Sequence, residues 1–181
     1  MLHSLLLRMN RFLFLITILV TNFCSAQTTN TNSRFAGKGF IIEFPSSWSL
    51  DTSHMMKTEC ILFASPEGDN DRFRENINVL IQPLGDPLFS LEKYKTISEQ
   101  QLTHLPGKIE TEESAIILKD GKTYYRMSYV LSQEQFQLHI TSICYIKNAK
   151  AFLVTFTTEA AKYETYKNEG EKVLASFQLS D

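Results

Sequence analysis

Of the chain's 181 residues, 43% are hydrophobic and 21% charged, with 18 Lys+Arg set against 20 Asp+Glu. That near-balance, spread evenly, excludes the basic stripe of a nucleic-acid binder and the Lys/Arg clusters that anionic membranes select. Three cysteines are too few for a disulfide scaffold.

The chain opens on a leader pattern. Residues 12–20, FLFLITILV, form an apolar run of nine, preceded by Arg8 and Arg11 and followed by no acid before Glu43. A basic segment ahead of a short apolar one has the form of a signal peptide. The run is well short of the roughly 20 residues a membrane-spanning helix needs. Cys24 and Ala26 place small side chains at −3 and −1 of a cut before Gln27. Residues 1–26 are therefore expected to be removed between Ala26 and Gln27. The product is expected to be exported, periplasmic or extracellular, with no stable membrane insertion. Met9 is an alternative start, since MNRFLFLITILV is a complete leader by itself. Cys24 as a lipid-bearing cysteine fits less well, because Thr21 at −3 and bulky Phe23 at −1 depart from the Leu-x-small-Cys pattern. Losing Arg8 and Arg11 leaves 16 basic against 20 acidic side chains, a net charge of −4. About 155 residues suffice for one domain with a sizeable core.

Residues 27–38, with TTNTNS at 28–33, are polar and aperiodic and are expected to form a flexible spacer, so that one domain spans 39–181. In GFIIEF, Phe40, Ile42 and Phe44 alternate with Ile41 and Glu43, which predicts a strand. Pro45 lacks a ladder donor and ends it. Trp48 is expected to return across the turn and seal the core. Strands follow at 59–65 and at NINVLIQPL, where Ile77, Val79 and Ile81 share one face. Residues 90–105 change period. Leu91, Tyr94, Ile97, Leu102 and Leu105 share a helical face, Ser90 is the N-cap, and Pro106-Gly107 ends the helix.

Four strands then follow in close order, joined at KDGK, SQEQ and KNAK. Connections this short require antiparallel pairing. Asp120-Gly121 is a hairpin signal. Residues 160–177 predict a closing helix with Tyr163, Tyr166, Val173, Leu174 and Phe177 on one face and Gly170 interrupting it. The fold class is α+β: an antiparallel sheet of six to seven strands with covering helices.

In order, GFIIEFPSSW, NINVLIQPL, SLEKYKTISEQQL, DGKTYYRMSYVL, AFLVTFTT and GEKVLASFQL resemble the blocks of the PsbP family. That family includes the extrinsic photosystem II protein of chloroplasts, DcrB-like secreted bacterial proteins and a Ran-binding nuclear protein. The resemblance spans Phe40 to Leu179, and its most specific pieces are Gly-Phe…Phe-Pro-x-x-Trp and Asp-Gly-Lys-x-Tyr-Tyr. It implies an α/β/α sandwich and a non-catalytic binding or assembly role. It does not imply photosynthesis, because one fold serves unrelated partners.

The sequence offers little chemistry. There is no Gly-x-Ser-x-Gly elbow and no phosphate loop, and His54, His104 and His139 lie on different elements. His139 alternates away from Leu138 and Ile140, as a solvent-facing or helix-covered strand residue. Tyr125 and Tyr129 share a strand face, with Tyr124 opposite. The best metal candidate is Glu67, Asp69, Asp71 and Glu75, carboxylates that could offer oxygen to Ca²⁺. It lacks the glycine and the length of an EF-hand loop, and Arg72 and Arg74 sit inside it as neutralising charges. A solvated acidic-basic loop is the preferred reading. Cys60 and Cys144 are expected as two buried thiols, with a disulfide as the alternative that an exported protein allows. No catalytic residue and no cofactor is implied. The functional expectation is a binding or assembly module of the cell envelope, its partner an unidentified envelope protein or small ligand. The alternative is an exported hydrolase whose site the sequence does not display.

Overall fold

Two-residue turns fix the largest part of the molecule. At Asp120-Gly121 both φ angles are positive, 51° and 72°, the left-handed pair that a tight hairpin matched to strand twist requires. This turn joins β6 (Lys108–Lys119) to β7 (Lys122–Gln133). β8 (Phe136–Lys147) follows, and Asn148-Ala149 makes a second turn of the same kind into β9 (Lys150–Glu159). These four form the antiparallel meander that their short connections dictate. The computed structural model describes residues 32–69, 71–134 and 136–180. The leader, Cys24 and the Ala26–Gln27 junction fall outside them.

β3 (Ser49–Asp51), β4 (Cys60–Phe63) and β5 (Asn76–Pro83) extend the sheet beyond β9, giving the order β3-β4-β5-β9-β8-β7-β6. Every pair is antiparallel. Helix α1 (Leu91–Leu102) lies on one face, over β6, β7 and β8. Ser90 caps it, its Oγ accepting from Lys93 N–H at 3.2 Å. It ends before Leu105, and Ile97 and Leu105 remain 37% and 40% exposed, so two positions expected on the packed face reach solvent. Helix α2 (Tyr163–Ser176), preceded by a 3₁₀ turn at 160–162, covers the opposite face. The result is an α/β/α sandwich around a mostly antiparallel sheet, as expected.

Two features depart from the sequence reading. The polar stretch taken as a spacer becomes a strand at Asn32: β1 (Asn32–Gly37) pairs along the whole of β2 (Phe40–Pro45). Its alternation carries a single large apolar side chain, Phe35, so composition hides it. β2 then joins β1 and the short β10 (Gln178–Leu179) in a separate three-stranded sheet, outside the meander's sheet. Its inward side chains Phe40, Ile42 and Phe44 pack with Val173, Leu174 and Phe177 onto Val79, Val154 and Phe156 of the main sheet.

Trp48 belongs to this core, 5% exposed, and its indole N–H donates to Glu169 Oε2 of α2 at 2.9 Å. Cys60 lies in the same core, whereas Cys144 lies in the cluster beneath α1 with Tyr125, Met127 and Leu102. The sheet separates the two sulfurs, and both are free. Burial pushes each thiol up to about 12.

Candidate functional site

A bulge in β6 gathers a polar cluster between the sheet and α2. Thr111 pairs with Tyr129 and Glu113 with Ser128, leaving Glu112 as an extra residue. In a regular strand, consecutive side chains would point to opposite faces. Here both glutamates reach the α2 face. Glu113 accepts from Arg126 Nε at 2.8 Å, while the Arg126 guanidinium grips Glu171 of α2 with Nη1 and Nη2 at 3.1 and 2.6 Å. Burial opposes the charge on Arg126, but Glu171 and Glu113 outweigh it and raise its pKa.

Glu112 meets His139 Nε2 at 2.8 Å and accepts from Ser128 Oγ at 3.2 Å. The hydrogen bond from His139 holds the Glu112 carboxyl below its ordinary value. His139 is 3% exposed and covered by the Tyr163 ring, stacked at 3.4 Å between centroids. It is thus helix-covered, one of the two positions its alternation allowed.

This Ser–His–acid grouping is not wired as a catalytic triad. A triad places the acid on one ring nitrogen and the nucleophile on the other. Glu112 and Ser128 share Nε2, with Ser128 at 3.4 Å, and Nδ1 has no partner. Ser128 is itself buried and also receives the Thr141 hydroxyl. His54 and His104 stand elsewhere, His54 Nδ1 lying 3.0 Å from the Thr58 carbonyl.

The acidic loop closes on a cation the sequence reading did not connect to it. Lys162 Nζ lies 2.9 Å from Glu67 Oε2, 2.9 Å from Glu159 Oε2, 3.8 Å from Asp71 Oδ1 and 4.0 Å from Glu75 Oε1. Three of the four candidate Ca²⁺ ligands therefore surround an ammonium, and Asp69 lines the cleft beside them without joining the ion pairs. Arg74 turns away to the Ala64 carbonyl, at 3.0 and 2.6 Å, and over the Phe63 ring, so it does not neutralise the loop as expected. Among the described residues no group of three or more His, Cys, Asp or Glu is arranged to hold a metal.

Glu75 is the exceptional member, 1% exposed. Desolvation raises its pKa, and Lys162 and the Glu159 N–H act against that rise. Glu159 and Glu67 in turn hold Lys162 charged. Lys162 stands 87 residues or more beyond the loop, so no local pattern could have revealed the pairing.

Other clefts open among the described residues, and two of them are candidate binding surfaces. One, of about 410 Å³, runs between the β2–β3 turn and α2, with Glu43, Glu169 and Lys172 at its walls. The other, of about 200 Å³, lies where α1 stops covering the sheet. It exposes Tyr94 and Leu105 on the helix side and Tyr129, Ile140, Ser142 and Leu153 on the sheet side. Tyr125 and Tyr129 share that face, as their spacing predicts.

Comparison with known proteins places this architecture. Cyanobacterial PsbP (CyanoP) from Synechocystis shares the fold with a TM-score of 0.60 at 16% identity, covering 86% of this chain and 96% of that one. LpqN of Mycobacterium tuberculosis, described as involved in cell envelope biogenesis, gives 0.55 at 11% identity, covering 83% and 91%. PA94 from Pseudomonas aeruginosa, a protein of unknown function, gives 0.53 at 13% identity, covering 78% and 92%. Identities this low speak for the fold alone. No curated protein matches the sequence. The PsbP family model matches residues 32–179, beginning at the first residue of β1 and ending at the last of β10, so the chain belongs to the PsbP family.

Proposed function

We propose that this chain is an exported, non-catalytic binding or assembly module of the cell envelope. The observation that carries the reading is the wiring of His139. Among the described residues, serine, histidine and carboxylate meet at Ser128, His139 and Glu112, where the serine and histidine are buried, the ring is lidded by Tyr163, and the contacts tie β6, β7, β8 and α2 together. Its polar groups serve cohesion, and the clefts are left to recognition. The leader pattern before Gln27 and the envelope description attached to LpqN support the location. Among the described residues no helix is long and apolar enough to cross a membrane.

The test combines fractionation, N-terminal sequencing and capture. Full-length protein made in a bacterium should appear outside the cytoplasm, start at Gln27 and carry no lipid. On a column it should retain the same envelope component from independent extracts, identified by mass spectrometry. Ester or peptide hydrolysis that disappears in Ser128→Ala would overturn the reading in favour of an enzyme.

A further inference from the structure

The cleft beside α1 combines three properties that point to a ligand. First, none of the side chains lining it is charged. An ion entering it would lose water without gaining a counter-charge. Second, its walls are aromatic and polarizable: Tyr94, Tyr125, Tyr129 and Met127, with Leu102 and Leu153. Third, it holds hydroxyls with no partner among the described residues, open to whatever fills the cleft.

The tyrosines show the contrast. The Tyr125 hydroxyl is committed, donating to Met127 Sδ at 3.1 Å and lying 3.0 Å from Ser114 Oγ. Tyr94 is engaged with the Cys144 thiol. The Tyr129 hydroxyl has no partner among the described residues, although the residue is only 9% exposed, and burial alone raises its pKa. Ser142, 7% exposed, likewise has none. Met127 pairs with Ser142 and Tyr129 with Ile140, which makes Tyr129 and Ser142 diagonal neighbours on β7 and β8. One acceptor or hydroxyl between them could bond to both. The buried orphan atoms among the described residues are His139 Nδ1 and Thr158 Oγ1, so the Tyr129 and Ser142 hydroxyls instead face the open cleft, where a ligand group can take the place of water on both.

We propose that this cleft binds a small uncharged molecule with a ring-sized apolar body and one hydrogen-bonding group, seated on Tyr129 and Ser142. The size argument is direct. An apolar cavity of about 150 Å³ accepts benzene, and this cleft of about 200 Å³ has room for a ring and one substituent. The tyrosine and methionine walls suit the ring, and the paired hydroxyls suit its polar substituent. The inference rests on the chain being a binding module. Its probes are added to purified protein, however, so their failure would leave the capture experiment unaffected.

The probes are p-cresol, toluene and 4-hydroxybenzoate at millimolar concentration, followed by chemical-shift changes of the mature protein. p-Cresol should perturb Tyr129, Ser142 and Leu105 resonances and bind about three- to tenfold more tightly than toluene, the worth of one net hydrogen bond. 4-Hydroxybenzoate should bind more weakly than p-cresol because of its carboxylate. In a Tyr129→Phe/Ser142→Ala variant the p-cresol advantage should vanish while toluene binding stays. Tyr129→Phe should melt no lower than the parent, since it removes only an unpartnered hydroxyl. No perturbation of the cleft by p-cresol would overturn the proposal. So would an advantage that survives in the double variant, equal binding of the benzoate, or a lower melting temperature of Tyr129→Phe.

Discussion

Gly170 and Phe156 meet at a distance only glycine allows: a Cβ on Gly170 would lie 2.4 Å from Phe156 Cε1 and Cζ. Phe156 is completely buried in the centre of β9, so its ring cannot withdraw. Glycine inside a helix ordinarily costs about 1 kcal/mol relative to alanine. Here it sets how closely α2 approaches the sheet. Gly170→Ala should therefore destabilise the protein by about 1–3 kcal/mol despite its better helix propensity. Urea unfolding decides the sign, and a stabilised variant would show that α2 can lift without cost.

Lys162 provides a pH test. Lys162→Met removes the cation facing Glu67, Asp71, Glu75 and Glu159. At pH 7 the loss should be about 1–2 kcal/mol, the penalty of a buried carboxylate without its partner, reduced for the partial exposure of Lys162. Two effects set the slope. Glu67, lowered by Lys162 and Tyr166, contributes stability above its ordinary value of 4.5 that is lost as pH falls through its folded value. Glu75 is raised by burial, so its ionisation penalty grows as pH rises from 4.5 through its folded value, and Lys162 is what offsets it. The Glu75 contribution shrinks as pH falls toward 4.5, and the Glu67 contribution shrinks only below 4.5. The stability gap between parent and variant should therefore narrow from pH 7 toward pH 4.5, and narrow further below it, in denaturant titrations. A gap independent of pH would refute the assignment.

Trp48 should report on the seal between β2 and α2. Its emission should be blue-shifted in the native state, and Trp48→Ala should cost about 3–5 kcal/mol. Trp48→Phe separates packing from the hydrogen bond to Glu169. It keeps an aromatic ring but drops the donor, and should cost distinctly less than the alanine variant. Equal losses would mean that the indole N–H carries the effect.

The thiols give a count. Denatured, unreduced mature protein should show two reactive groups, Cys60 and Cys144, because the sheet lies between them. A third would mean that Cys24 has been retained. In the native protein both should resist alkylation near neutral pH, since burial raises each to about 12 and only the thiolate reacts. Zero groups after denaturation would establish a disulfide and contradict the fold.

What the sequence disclosed divides along a physical line. The meander from Lys108 to Glu159 was legible because its turns are local: Asp120-Gly121 announces positive φ in two letters. Ser90, Pro45 and the apolar alternation of β5 are equally local. β1 was hidden because an edge strand in a small sheet needs little apolar content, and Asn, Ser and Arg suffice beside a partner such as β2. Long-range pairings were invisible for a different reason. Glu112 reaches His139 only because a bulge reverses its face, and Lys162 finds Glu67 only after the whole sheet has closed. The candidate site suffered most, since the groups that decide it come from five or six separate elements. The Tyr129 hydroxyl could not be singled out either, because a tyrosine's partner is not written beside it.

The β6 bulge has a consequence for how copies of this protein behave when crowded together. β6 is an outer strand of the large sheet, twelve residues long, and an exposed ladder of that length would invite a neighbour's strand. Glu112 interrupts the regular row of amides, and Lys108, Glu110, Glu113 and Lys119 hang charge along the same rim. At the far rim β3 offers only three residues. A strand from another copy meets a kinked, charged border on one side and almost no border on the other. The kink that turns Glu112 onto the α2 face thus also discourages one copy from adding its strand to the sheet of another.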